Sequence, residues 1–176
     1  LPATNTSFVN AIQMAGGFAH SCALISGPGE VRCSGANSLG QIGDGTFIPK
    51  ANATTVSGIT TGAVQVAAGH YFSCARMTGG TVRCWGQGGG GELGNSGFSN
   101  SNTYVSVTGV TSATDLAAGS NHACVIEAGN VKCWGANYGG SLGDGTTTTR
   151  SSPVAVIGLS AGATIGLAAG FSHTCA

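Results

Sequence analysis

The feature that most constrains this chain is a phrase that returns four times and ends each time in cysteine. It reads Ala15-Gly16-Gly17-Phe18-Ala19-His20-Ser21-Cys22, then Ala67-Ala68-Gly69-His70-Tyr71-Phe72-Ser73-Cys74. It returns as Ala117-Ala118-Gly119-Ser120-Asn121-His122-Ala123-Cys124 and as Ala168-Ala169-Gly170-Phe171-Ser172-His173-Thr174-Cys175. The steps between the cysteines are 52, 50 and 51 residues. A fixed period of that length requires a repeat architecture, in which each unit buries its apolar face against the next.

Composition narrows what such repeats can do. The 176 residues are 41% hydrophobic, enough for a packed core. Only 7% are charged, against about a quarter in ordinary domains, and the formal net charge is zero. The chain therefore lacks the Lys and Arg that neutralise nucleic-acid phosphates, so no DNA or RNA partner is expected. An anionic membrane surface finds no partner for the same reason. No run approaches the ~20 apolar residues that span a bilayer, so membrane insertion is not expected. The opening Leu1-Pro2-Ala3-Thr4 lacks an initiator Met and does not resemble a signal peptide. It reads as a processing boundary, of a mature secreted form or an excised piece.

The third unit shows the local grammar most clearly. Residues 113–119 form a short apolar segment ending at Gly119, and His122–Ile126 the next strand. Glu127-Ala128-Gly129-Asn130 is a turn, with Gly129 and Asn130 expected at positive φ. Val131–Gly135 alternates as a return strand. A Gly-rich turn region, 136–146, leads to an edge strand over residues 153–159, where Pro153 is tolerated near the start. Four short strands per fifty residues predict an all-β chain of β-propeller blades. The expected division is a lead-in over 1–10, repeats over 11–62, 63–112 and 113–162, and an incomplete fourth repeat over 163–176. The Gly-rich turns read as turns and not as phosphate cradles, because none leads into a helix with a following Lys.

These residues carry a family likeness. The sequence Ala-Ala-Gly-x-x-His-x-Cys, then Val-x-Cys-Trp-Gly-x-Asn-x-x-Gly-x-Leu-Gly-Asp-Gly-Thr, then Pro-Val-x-Val-x-Gly-Leu resembles the regulator of chromosome condensation repeat family. The likeness covers residues 11–176. It implies a seven-bladed propeller fold, of which this chain holds roughly three and a half repeats. Family roles include nucleotide exchange on a small GTPase with chromatin binding, inhibition of secreted β-lactamases, and bacterial surface proteins. The chain looks most like the secreted bacterial branch, in which the repeat carries cysteine pairs. The absent basic patch speaks against the chromatin-binding, exchange-factor role.

Cys22 and Cys33, Cys74 and Cys84, and Cys124 and Cys133 lie 11, 10 and 9 residues apart. The turn between them changes length while both flanking strands keep a cysteine, as expected of cross-strand disulfides. Three such bonds place the chain in the periplasm or outside the cell. The rival reading is zinc held by His20, Cys22 and Cys33, or by His122, Cys124 and Cys133. It is weakened by Phe72, which stands where unit two should carry its His. Cys175 has no return-strand partner within the sequence, so it is expected unpaired or in an intermolecular bond.

The remaining candidates read first as structure. His20, His122 and His173 recur once per unit with no repeating Ser or acid beside them, which favours packing over catalysis. Trp85 and Trp134 read as core between blades, with Ser34 in their place in unit one. Asp44-Gly45-Thr46 and Asp144-Gly145-Thr146 read as side-chain-capped turns and not as calcium sites. Asn5 and Asn52 begin glycosylation sequons. No cofactor, no metal and no catalytic group is expected. Three and a half blades do not close a ring, so other protein chains are the expected partners, including further copies that complete a ring or a filament. The expected function is an extracellular or cell-surface scaffold with a structural or protein-binding role. The alternatives are a carbohydrate-binding propeller using Tyr71, Tyr104 or Tyr138, a secreted protein inhibitor, or an exchange factor.

Overall fold

The computed structural model describes residues 8–159, 162 and 164–176. It contains three antiparallel four-stranded sheets, each a meander in chain order. The first holds β1 (Ala11–Gly16), β2 (His20–Ile25), β3 (Glu30–Gly35) and β4 (Lys50–Thr55). The second holds β5 (Ala63–Ala68), β6 (Phe72–Met77), β7 (Val82–Gly86) and β8 (Ser101–Ser106). The third holds β9 (Ala113–Ala118), β10 (His122–Glu127), β11 (Asn130–Gly135) and β12 (Arg150–Ala155). A two-stranded sheet of β13 (Ala168–Ala169) and β14 (Thr174–Cys175) follows. The first strands of successive sheets lie against one another, β1 on β5, β5 on β9 and β9 on β13. The chain is thus an incomplete β-propeller of about three blades.

The middle hairpins hold the register. In the third sheet Glu127 pairs with Asn130 across a two-residue loop. Both loop residues take positive φ, Ala128 at 50° and Gly129 at 72°. That is what a hairpin loop matched to strand twist requires. Ala128, and not Asn130, takes the second left-handed position, because Asn130 is already committed to β11. The outer strand also departs from expectation: it spans Arg150–Ala155, with Pro153 inside it. Pro153 falls where the pairing to β11 shifts between Cys133 and Gly135. At such an irregularity a missing N–H breaks no ladder.

Each core belongs to two units. One cluster joins Leu24, Val31, Ile42, Val56 and Ile59 of the first sheet and its loops to Val66, Met77 and Trp85 of the second unit. The next joins Phe72, Val82, Leu93 and Val107 to Leu116, Val125 and Trp134. A single unit therefore cannot bury its own apolar face, as its sequence period implies.

Candidate functional site

The turns between first and second strands gather around the propeller axis. The Phe18 N–H donates to the His70 carbonyl at 3.2 Å, His70 N–H to Ser120 at 2.8 Å, and Ser120 N–H to Phe171 at 3.2 Å. One peptide per unit is handed to the next in a belt. The preceding glycines permit the approach. A Cβ on Gly17, Gly69 or Gly119 would stand 2.6 Å from the carbonyl oxygen of the following unit's glycine.

The belt presents its side chains on the axial face. Phe18 packs edge-on against His70 at 4.4 Å and Tyr71 at 5.7 Å, while His70 stacks on Tyr71 at 4.2 Å. Phe171 lies 6.2 Å from His70. Phe18 and Phe171 are 69% and 72% exposed. Together with Ser120 these turns line a shallow pocket of about 300 Å³. The Ser120 hydroxyl is buried there with no hydrogen-bond partner among the described residues. Sequence reasoning missed this site, because the position after the glycine holds Phe, His, Ser and Phe in turn and so forms no motif.

The recurring histidines point away from this chemistry. His20 Nε2 meets the Ser73 hydroxyl of the next unit at 2.8 Å, and His122 Nε2 meets Thr174 at 2.8 Å. Where unit two carries Phe72, the facing position in unit three is Ala123, in the same buried cluster. Burial lowers the pKa of His20 from 6.5 to about 4. Burial and the nearby His173 lower that of His122 as well.

A pH dependence follows for His20. Between pH 6.5 and about 4 the unfolded chain binds the proton and the folded chain does not. Stability is therefore complete above the unfolded pKa and falls as pH drops towards the folded one. Chemical denaturation at pH 7 and pH 4.5 should differ by about 2 kcal/mol through this group. The double variant His20→Phe/Ser73→Ala, patterned on Phe72 and Ala123, should fold and remove most of that difference. His20→Phe alone takes the 2.8 Å partner from the fully buried Ser73 hydroxyl and leaves it the longer 3.4 Å contact to the Gln41 carbonyl, so it should be the less stable of the two. An undiminished pH difference in the double variant would assign it to other groups.

The structure brings together the cysteines of each unit. Disulfides join Cys22 to Cys33, Cys74 to Cys84 and Cys124 to Cys133, each with Cα atoms 4.1 Å apart. They tie the two central strands of each sheet at directly opposed positions. The ligands of the zinc reading are thus in disulfides, with His20 and His122 turned to hydroxyls of the neighbouring unit. Cys175 is free and exposed.

The Asp-Gly-Thr turns are capped by their own side chains. Asp44 Oδ1 accepts from the Thr46 N–H at 3.0 Å and its hydroxyl at 2.8 Å, and Asp144 does the same for Thr146. Asp44 also pairs with Lys50, and Asp144 with Arg150. The Thr146 contacts lead the causes that lower the Asp144 pKa to about 2. A residue the sequence reading passed over organises each loop. Asn37 donates to the Thr46 and Ile48 carbonyls at 3.0 and 3.1 Å and accepts from the Ile42 N–H at 2.9 Å. Asn137 repeats the pattern in unit three.

The three tyrosines do not share a platform. Tyr71 joins the axial cluster, Tyr104 lies 4.3 Å beneath the Arg83 guanidinium, and Tyr138 stands exposed on a short 3-10 turn, Tyr138–Gly140. Asn52 is exposed on β4, while Asn5 lies outside the described residues. Among the described residues no helix is long and apolar enough to cross a membrane.

Models of the regulator of chromosome condensation (RCC1) repeat match residues 63–92 and 128–176. No curated protein sequence matches the chain. Among solved structures, Prp20p of Saccharomyces cerevisiae, described with its binding to Gsp1p and histones, is similar at a TM-score of 0.76 and 18% identity. That likeness covers 94% of this chain and 43% of Prp20p. Yeast RCC1 (Prp20) bound to Kap60 is similar at 0.75 and 18% identity, over 85% of this chain and 37% of that one. Human WBSCR16 follows at 0.65 and 19% identity, over 93% and 56%. The chain thus spans about half or less of the length of these structures, and at such identities the likeness is one of fold.

Proposed function

Since the chain belongs to the regulator of chromosome condensation (RCC1) repeat family, we propose that it is a non-enzymatic protein-binding scaffold working outside the cell within a larger assembly. The axial aromatic cluster carries this reading. Exposed Phe18 and Phe171, with His70 and Tyr71 between them, form the kind of aromatic patch that concentrates binding energy at protein interfaces. The unpartnered Ser120 hydroxyl at its floor offers one directional contact. Three disulfides fit an oxidising compartment, which supports the extracellular placement. Prp20p, similar in fold, is described as binding Gsp1p and histones. The scarcity of charge here points away from partners held by phosphate or by basic tails.

The test compares the wild-type chain with Phe18→Ser/Phe171→Ser, matched for circular dichroism and disulfide content. Both side chains are exposed, so the fold should be kept. A partner retained from the secreted protein fraction of the source cells should bind the double variant at least about tenfold more weakly, or ~1.4 kcal/mol. Equal retention would move the binding face elsewhere. Binding to a glycan array without protein retention would favour the carbohydrate reading.

A further inference from the structure

The outer rim carries a cleft between units two and three. The loop that follows β7 docks on the start of β12, the Ser96 N–H donating to the Ser151 carbonyl at 2.8 Å. Gly91 permits the approach, since a Cβ there would stand 2.8 Å from the Arg150 carbonyl oxygen. Beside this seam lies a space of about 310 Å³ lined by Phe98, Thr149, Arg150, Ser151, Ser152 and Val154. Its walls come from two adjacent units of this chain, so the cleft is complete as it stands. The preceding junction is built the same way and shows what closes it. There the Gly45 N–H donates to the Asn102 carbonyl at 2.8 Å, and the Asn102 carboxamide reaches back to the Gly45 carbonyl at 2.9 Å. Ser151 holds the place of Asn102, and its hydroxymethyl group is too short for that bridge. Phe47 holds the place of Phe98. It is 51% exposed with the next outer strand in position and Phe98 is 56% exposed, so the display of this ring belongs to the loop.

The chemistry of the cleft selects its ligand. One wall is the exposed Phe98 ring, an apolar face with no polar handle. The other carries the hydroxyls of Thr149, Ser151 and Ser152, each able to donate and to accept. The Arg150 guanidinium is held by Asp144, from Nε and from Nη2 at 2.9 Å each. Its charge is thereby balanced, so an anion finds no free cation here, yet N–H groups remain to donate. An apolar side chain in this space would leave the hydroxyls without partners. A pyranose ring meets both walls, with C–H bonds on its face and hydroxyls around its edge. The volume lies at the lower end of small-ligand sites, ~300–1,000 Å³, which suits one ring of a longer chain. We propose that this cleft is a binding site for a neutral hexose unit of an oligosaccharide, stacked on Phe98 and hydrogen-bonded by Thr149, Ser151, Ser152 and Arg150. Tyr71, Tyr104 and Tyr138 take no part in it. The site is independent of the axial face and stands or falls separately.

Three neutral probes, cellohexaose, laminarihexaose and maltohexaose, test this against the intact oxidised chain by titration calorimetry. At least one should bind with a Kd at or below about 1 mM. Phe98→Ala removes the stacking face and should weaken that binding at least about tenfold. Ser151→Asn, patterned on Asn102, should fill the cleft and weaken binding as much. Phe98 is exposed and Ser151 half-buried, so both variants should melt like the wild type. Phe47→Ala, at the junction that Asn102 closes, should bind as the wild type does. A Kd above about 1 mM for all three sugars overturns the proposal. So does undiminished binding in Phe98→Ala or Ser151→Asn, or an equal loss in Phe47→Ala. Tighter binding of hexagalacturonate, an anionic probe of the same length, overturns the neutral assignment in favour of Arg150 acting as a free cation.

Discussion

Reducing the three disulfides should unfold this chain at neutral pH and room temperature. The bonds close loops of 11, 10 and 9 residues. Each loop of that size restricts the unfolded chain by about 2.5–3 kcal/mol in the chain-entropy account. The three together come to about 8 kcal/mol, within the whole stability of an ordinary domain, about 5–15 kcal/mol. Every bonded cysteine is buried between sheets, so reduction also leaves thiols in an apolar core. Thermal melts followed by circular dichroism with and without dithiothreitol read the effect. Cys175→Ser serves as the control, since that thiol is exposed and free, and it should melt like the wild type. A reduced chain melting within a few degrees of the oxidised one would show that hairpin pairing alone suffices.

Replacing Trp85 with alanine should cost about 3–5 kcal/mol, the range for deleting a buried indole. The side chain is fully buried, and most of what it touches belongs to the preceding unit. Its loss removes the hydrogen bond to the Gln41 carbonyl and opens a void above Gly43. Trp85→Phe keeps part of the packing and loses the N–H, so it should cost less. Urea titration separates the outcomes. An unchanged slope with a lower midpoint reports lost packing, whereas a reduced slope reports that unit one has come away from unit two. A cost under about 1 kcal/mol would contradict the role given to the indole between units.

The strands and disulfides were legible in the sequence because they are properties of one unit compared with itself. A cysteine that keeps its strand while its distance in sequence from the next cysteine changes from 11 to 9 residues declares its partner. The Asp-Gly-Thr caps were legible for the same reason, since donor and acceptor lie two residues apart. Contacts between units were not. His20 looked like a recurring residue without a partner, yet Ser73 faces it from 53 positions away. The signal existed: Phe72 interrupts the histidines once, and Ala123 interrupts the hydroxyls of Ser73 and Thr174 once, one unit later. Reading down equivalent columns hides such a diagonal pairing. The axial aromatics escaped notice because belt geometry depends on glycine and on backbone carbonyls. The residues displayed above it are free to vary, and varying residues leave no motif.

The His–hydroxyl contact also means that the repeats are not interchangeable bricks. Unit one ends in a question that only a unit beginning like Ser73 or Thr174 answers, and unit two asks for Ala123. Excising unit two would lay His20 against Ala123, an imidazole facing a methyl group. Moving unit two to follow unit three would give His122 the Ser73 hydroxyl, but it would set His20 against Ala123 and Phe72 against Thr174, one match and two mismatches. The blades therefore carry a grammar of succession, like dominoes whose touching halves must agree. Duplication could lengthen such an array only where the new neighbours spell a permitted pair.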